Sequence, residues 1–169
     1  TLQYPIAMYG AMRAGLVVVN TNPLYTEREM IHQFNDSGAT ALLCMDIFAK
    51  SVQNIQDQTG VKTVLVTSMG DMLPILKRWL VNTLIKRVKK MVPAYHLPEA
   101  ISFRQILKEN LGKGFTPAHL ANPDDTIVLQ YTGGTTGVSK GAELTNRNLV
   151  ANMLQAAELL HQEDGNGNR

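Results

Sequence analysis

Cysteine is almost absent from this chain, and the one that occurs, Cys44 in 169 residues, excludes an internal disulfide framework and fits a reducing compartment. Its setting in TALLCM predicts a buried strand position and an inert thiol. No apolar run reaches the roughly 18 residues that a membrane-spanning helix needs, and no signal-peptide pattern is visible, so the chain reads as soluble. Aromatic residues make up only 6%, and no aromatic-rich binding motif accompanies the basic charge, which argues against nucleic acid as a partner. His32, His96, His119 and His161 are scattered without metal-ligand spacing, so a zinc site is not expected. A G-x-S-x-G nucleophile motif is missing. Two phosphate-binding patterns are missing as well: the P-loop fails because Lys140 follows Ser139 instead of glycine and Gly141 stands where a hydroxyl belongs, and G-x-G-x-x-G does not occur.

What is present is an ordinary globular composition, 44% hydrophobic and 18% charged, enough for one domain or a piece of a larger one. Both ends read as cut, the first at TLQYPIAMYG without a methionine and the second at HQEDGNGNR, so a fragment is expected. Short strand-like runs alternate with longer helical ones, which is the α/β signature. The pattern predicts a helix over Leu2 to Ala14 ended by Gly15, a strand over Leu16 to Val19, and a helix from Thr26 to about Ser37 stopped at Gly38. Thr26 and Glu29 make a T-x-x-E capping box for that helix. Strands follow at TALLCM and at TVLVT (Thr63 to Thr67), with a polar-faced helix over 48–58 between them. A helical region from Met72 to Val92 is broken by Pro93 and Pro98, and SFRQILKE adds a short helix. The strand TIVLQY then leads into a glycine-rich segment, followed by a helix from about Asn146 to Leu160 with Thr145 as its N-cap. DGNGNR reads as a frayed turn.

The glycine-rich segment, YTGGTTGVSKGA over 131–142, holds four glycines, three threonines, a serine and one lysine. Ordered glycine costs conformational entropy, so its concentration marks a backbone that takes positive φ or approaches something closely. Backbone N–H groups, hydroxyls and one ammonium are the donor set that holds phosphate. An idle mobile connection is the plain alternative.

YTGGTTGVSKGAELTNRN resembles the signature phosphate loop of the adenylate-forming superfamily, [ST]-[SG]-G-[ST]-T-G-x-P-K-G. Upstream, AMRAGLVVVNTNPLYTEREMIHQFNDSGATALL resembles the block in which these enzymes carry an alanine-glycine pair, a proline, a tyrosine-threonine pair and a serine-glycine ending. Within the superfamily, NPLYTEREMIHQFNDSGA, VPAYHLPEAISF and LQYTGGTTGVSKGA are most similar to the bacterial long-chain fatty acid–CoA ligases, and the similarity covers nearly the whole chain. The resemblance implies an α/β fold in which residues 1–169 form part of the large N-terminal AMP-binding domain, strands alternating with helices. It implies ATP, Mg²⁺ and coenzyme A as cofactors and co-substrates, and a long-chain fatty acid as the acid that attacks the α-phosphate. Thr135 and Thr136 would then donate hydroxyls to the β- and γ-phosphates, Gly133, Gly134 and Gly137 would let the backbone approach, and Lys140 would supply the one full positive charge. Thr132 would bind beside them and contact Mg²⁺. Ser139 departs from the family's proline, which frees a φ angle, and Asn146 departs from its histidine. The family's downstream acidic motif, ribose-binding aspartate and C-terminal lysine are not in this sequence, so no catalytic residue beyond the phosphate loop can be named, and the fragment alone is expected to be inactive.

Charge is uneven although the net is only +2. Residues 71–113 carry nine Lys or Arg against three acids, while 114–169 carry three against six. On a helical wheel, Leu73, Leu76, Leu80, Val81, Leu84, Ile85, Val88, Met91 and Val92 share one broad arc. Arg78, Lys86, Lys89 and Lys90 lie opposite, and Lys77 and Arg87 fall inside the arc. This basic amphipathic helix, about 72–92, reads either as a core helix with a solvated face or as a helix lying on an anionic membrane. The latter implies a cytoplasmic protein peripheral to the inner face of a bacterial cell membrane. A homodimer stands as a further partner reading. Two other function classes are open: a non-catalytic nucleotide-binding or membrane-surface module, and an adenylate-forming enzyme for another carboxylic acid.

Overall fold

The computed structural model describes residues 1–118, 122–132 and 139–165, side chains after 160 excepted. The chain divides into two compact units, one comprising Thr1–Gly10 with Thr21–Thr116 and the other Ala11–Asn20 with Pro117–Arg169. The first helix, α1 (Gln3–Arg13), therefore runs from one unit into the other.

In the first unit, β2 (Ala41–Met45), β3 (Thr63–Thr67) and β4 (Ile101–Ser102) form a parallel sheet with β3 in the middle. Parallel neighbours need long crossovers, and here these carry helices: α3 (Ala49–Ile55), flanked by 3-10 turns, joins β2 to β3, while α5 (Phe103–Asn110), the short helix expected from SFRQILKE, follows β4. The register sets Leu42 beside Val64 and Cys44 beside Val66. Those side chains meet Phe34, Val52, Ile55 and Val61 in the buried core. Phe34 comes from α2 (Glu27–Asp36), whose start is fixed as the sequence predicts. The Glu29 amide donates to Thr26 Oγ1 at 3.3 Å and the Thr26 amide donates to Glu29 Oε2 at 2.7 Å. The Thr26 hydroxyl also donates to Glu29 Oε2, at 2.7 Å, and the two bonds that the carboxylate accepts from Thr26, backbone first, hold it below its ordinary range. Gly38 ends the helix at φ +63°, a left-handed value that glycine takes without strain.

Burial pushes the Cys44 thiol up to about 12, with the nearby Asp46 charge adding to the effect. A thiol so placed is protonated and inert at neutral pH, in line with its strand setting.

The basic segment folds differently from a single helix over 72–92. α4 spans Ile75–Thr83 behind Pro74, and Leu84–Val88 continues it as a π-helical turn. Lys90 at φ +49° ends the run. A π turn shifts the phase of every later side chain, which is why a wheel drawn at 3.6 residues per turn misplaces residues beyond Thr83. The helix is tied to the end of β3 by Asn82. Its Oδ1 accepts from the Gly70 amide at 2.8 Å, and its Nδ2 donates to Asp71 Oδ1 at 3.0 Å. Gly70 permits this approach: a Cβ there would lie 2.7 Å from Asn82 Oδ1 and 3.2 Å from the Arg78 carbonyl oxygen. Asp71 Oδ2 also accepts from the Ser68 amide, at 2.7 Å. On the other side of Ser68, Gln3 Nε2 donates to the Ser68 carbonyl at 2.8 Å.

The second unit holds β1 (Val18–Asn20), β5 (Thr126–Thr132) and β6 (Lys140–Thr145) in the order β1-β5-β6. β1 pairs parallel to β5, Val18 with Val128 and Asn20 with Gln130, and the Asn20 and Gln130 amides bond at 3.1 Å. The strand is thus displaced from the expected Leu16–Val19: Leu16 is exposed, and pairing with β5 begins only at Val18. Gly15 at φ +74° makes the turn between α1 and β1, where a Cβ would come within 2.8 Å of Ala118 Cβ.

Candidate phosphate-binding site

β5 forms because TIVLQYT buries Ile127, Val128 and Tyr131 while its last residue, Thr132, is exposed. The chain then returns antiparallel as β6, which the sequence reading assigned to a loop. Lys140, Gly141 and Ala142 are strand residues, paired in turn with Thr132, Tyr131 and Gln130. KGAELT is short and contains a glycine, so its strand character comes from pairing with β5 and not from its own propensity.

Of the seven sequence-predicted binding residues, Thr132 and Lys140 lie within the described residues. Gly133, Gly134, Thr135, Thr136 and Gly137 lie outside them. Thr132 and Lys140 are the last matched pair of the hairpin. Directly opposed residues of an antiparallel pair share a face with Cβ atoms roughly 4.5–5.5 Å apart, so an exposed hydroxyl and an exposed ammonium flank the two ends of segment 133–139. Tyr131 and Gly141 form the next pair and face the other side by strand alternation. This arrangement can offer one cation and one hydroxyl to an anion at this end of the hairpin.

Mg²⁺ fits the described residues poorly by themselves. Among them, no group of three His, Cys, Asp or Glu side chains could hold a metal ion, and Thr132 has a lysine opposite it.

The far end of the hairpin is closed by contacts that the sequence only half announces. Thr145 Oγ1 accepts from the Asn148 amide at 3.3 Å, so Thr145 caps α6 (Asn146–Gly165) as expected. Asn148 Oδ1 answers by accepting from the Thr145 amide at 2.9 Å, a reciprocal cap in which asparagine takes the place of glutamate. The Arg147 amide donates to the Pro123 carbonyl at 2.8 Å, and the Asn146 amide donates to that of Asp125 at 3.2 Å. Arg147 Nε also meets Asp124 Oδ1 at 2.7 Å. That hydrogen bond holds the Asp124 carboxyl below its ordinary range. Asn146, where relatives are expected to carry histidine, is the first residue of α6 and half-buried.

The basic segment presents a second surface. Ile75, Leu76, Trp79, Leu80 and Val88 are each at least 60% exposed in this chain, and Lys77, Lys86, Arg87, Lys89 and Lys90 are exposed beside them. Leu73, Val81, Ile85 and Val92 are half-buried. No helix among the described residues is long and apolar enough to cross a membrane.

Comparison with known proteins places these elements in context. The profile of the AMP-binding enzyme family matches residues 1–168. A long-chain-fatty-acid–CoA ligase of Escherichia coli O157:H7 is 51% identical over 154 residues, which is 91% of this chain and 27% of the relative. The ligase of the same name from Bacillus subtilis is 32% identical over 159 residues, 94% of this chain and 28% of the relative. The chain thus spans about a quarter of the length of the curated relatives it matches. Among solved structures, a long-chain-fatty-acid–CoA ligase from Archaeoglobus fulgidus superposes with a TM-score of 0.66 at 24% identity, covering 93% of this chain and 25% of that one. An anthranilate CoA ligase superposes at 0.65 with 16% identity, covering 86% and 23%. At these identities the two structures establish the shared mixed α/β fold alone.

Proposed function

Because the chain belongs to the AMP-binding enzyme family, we propose that the protein carrying it activates long-chain fatty acids for transfer to coenzyme A. The fatty acid carboxylate attacks the α-phosphate of ATP, giving acyl-adenylate and pyrophosphate, and the coenzyme A thiol then displaces AMP. The observation that carries this reading is the pairing of Thr132 with Lys140 across the open end of the β5–β6 hairpin. The names of the relatives at 51% and 32% identity support the choice of acid.

Pyrophosphate gains charge as it leaves, so donors around it stabilise the transition state more than bound ATP. Lys140 would meet that growing charge, Thr135 and Thr136 would donate hydroxyls to it, and Gly133, Gly134 and Gly137 would leave the backbone free to approach. Thr132 would be the one hydroxyl of this hairpin offered to an Mg²⁺ that enters with ATP, too little to hold the ion by itself.

The protein would then be a cytoplasmic enzyme resting on the inner face of the bacterial cell membrane through 72–92. The exposed stripe from Ile75 to Val88 would enter the headgroup region while the adjacent lysines meet anionic lipid, each contributing about 1 kcal/mol.

Fatty-acid-dependent ATP–pyrophosphate exchange by the full-length protein tests the proposal. Exchange is expected with long-chain acids. Exchange driven only by acetate, aromatic acids or amino acids would overturn the substrate assignment, and no exchange with any acid would leave a non-catalytic nucleotide-binding module.

A further inference from the structure

Beneath the Thr132–Lys140 pair, Gly141 lies against the ring of Tyr131. A Cβ built on Gly141 would sit 2.9 Å from Tyr131 Cε2, 3.0 Å from Cζ and 3.4 Å from the hydroxyl oxygen. A Cβ atom essentially never comes within 3.0 Å of a non-bonded heavy atom, so the ring occupies the place that any side chain at 141 would need. The ring cannot readily give way, because Tyr131 is only 6% exposed. It has two torsions, and an off-rotamer position costs free energy. Aromatic residues that cover a cross-strand glycine are a known means of pinning strand register. Here the pinned step is the one immediately before the last pair of the hairpin.

The geometry points to Gly141 and Tyr131 as a positioning pair for Lys140: the bare glycine lets the ring lie flat on β6, and that contact sets where the neighbouring ammonium stands. Neither residue touches phosphate in this account. Tyr131 and Gly141 face away from Thr132 and Lys140 by strand alternation, so they act on the anion only through Lys140. The inference rests on the phosphate-loop reading above. It adds that the lysine's place is set by packing on the opposite face of the hairpin, not by the glycine-rich segment alone.

A double-mutant cycle in ATP–pyrophosphate exchange by the full-length protein tests the pair. Gly141→Ala is expected to lower kcat about tenfold, the scale of loss when a positioned charge moves by a fraction of an ångström. ATP affinity should change by less than about threefold, since the displaced charge matters most in the transition state. With the ring removed by Tyr131→Leu, Gly141→Ala should cost less than about twofold. Equal losses in the two backgrounds overturn the pair, as does a loss seen only in ATP affinity or only in melting temperature. The comparison within the Tyr131→Leu background stands even where Gly141→Ala alone fails to fold. Lys140→Ala separates this inference from its premise. A parental rate in that variant removes the phosphate-loop reading itself, whereas a slow Lys140→Ala with an additive cycle removes the pair alone.

Discussion

Replacing Asn82 by alanine should release the basic helix from the sheet. The side chain makes two bonds at once, accepting from the buried Gly70 amide at 2.8 Å and donating to the Asp71 carboxylate at 3.0 Å. A neutral hydrogen bond contributes about 1 kcal/mol and one to a charged group about 1.5–3 kcal/mol. Asn82 is half-buried, so water replaces part of both, and a net loss of about 2 kcal/mol is expected. That loss falls on the opening of α4, not on the whole protein, since Asn82 is the link between Gly70, Asp71 and the helix. About 2 kcal/mol corresponds to a roughly 30-fold larger open population. Hydrogen exchange followed by mass spectrometry over peptides within 72–92 should therefore speed up by that factor, while peptides from β2 and α3 keep their parental rates. Asn82→Asp sharpens the test. It keeps an acceptor for the Gly70 amide but sets a carboxylate against Asp71, so its exchange at neutral pH should be at least as fast as that of alanine. Exchange in 72–92 within threefold of parental for Asn82→Ala would show that the two hydrogen bonds do not hold the helix.

Lys140→Ala in the full-length protein should lower the adenylation rate more than ATP affinity, and Thr135→Val and Thr136→Val should act in the same direction; stopped-flow kinetics beside direct ATP titration distinguishes rate from binding. Binding to anionic liposomes should weaken with salt and with Lys86→Gln, Lys89→Gln and Lys90→Gln in combination, as sedimentation with vesicles would show; no binding at low salt refutes the membrane reading. Cys44 should resist alkylation at pH 8 in the native protein and react once the protein is denatured, because its folded value near 12 leaves almost no thiolate. A folded value raised above the ordinary 9.0 also means that the thiol's contribution to stability, full below pH 9, is lost as the pH rises from there towards 12. Denaturant midpoints of native protein and a Cys44→Ala variant should converge over that window.

The parts of the fold legible from sequence are those with local causes. The Thr26–Glu29 box, the left-handed Gly15 and Gly38, and the β-branched run Thr63–Thr67 each carry their own signal, and each element stands within two residues of its expected place. What was hidden depends on partners. β6 becomes a strand only beside β5, and β4 is two residues that exist by pairing with Leu65 and Val66. The π turn at Leu84–Val88 has no compositional mark. At the site, the family signature singled out Lys140 and Thr132 as chemically suited, but their opposition across the hairpin follows from register, which no motif states. Tyr131 and Gly141 carry no mark in the sequence for the same reason: a tyrosine next to a threonine says nothing of the glycine ten residues on that its ring covers.

The hydrogen bonds from Asn146 and Arg147 to Asp125 and Pro123, with the Arg147–Asp124 ion pair, close the chain into a ring at the base of the hairpin. A pull on the tip enters through Thr132 and Lys140, spreads down the ladder, and reaches a base where the incoming and outgoing strands are already bridged. Mechanical load would meet these base contacts before it reached the chain outside residues 123–147. The helix that follows and the segment that precedes would be the last parts of the unit to feel such a pull. A closed circuit of this kind would confine the effect of a substitution at the tip to the span between its two bridged strands.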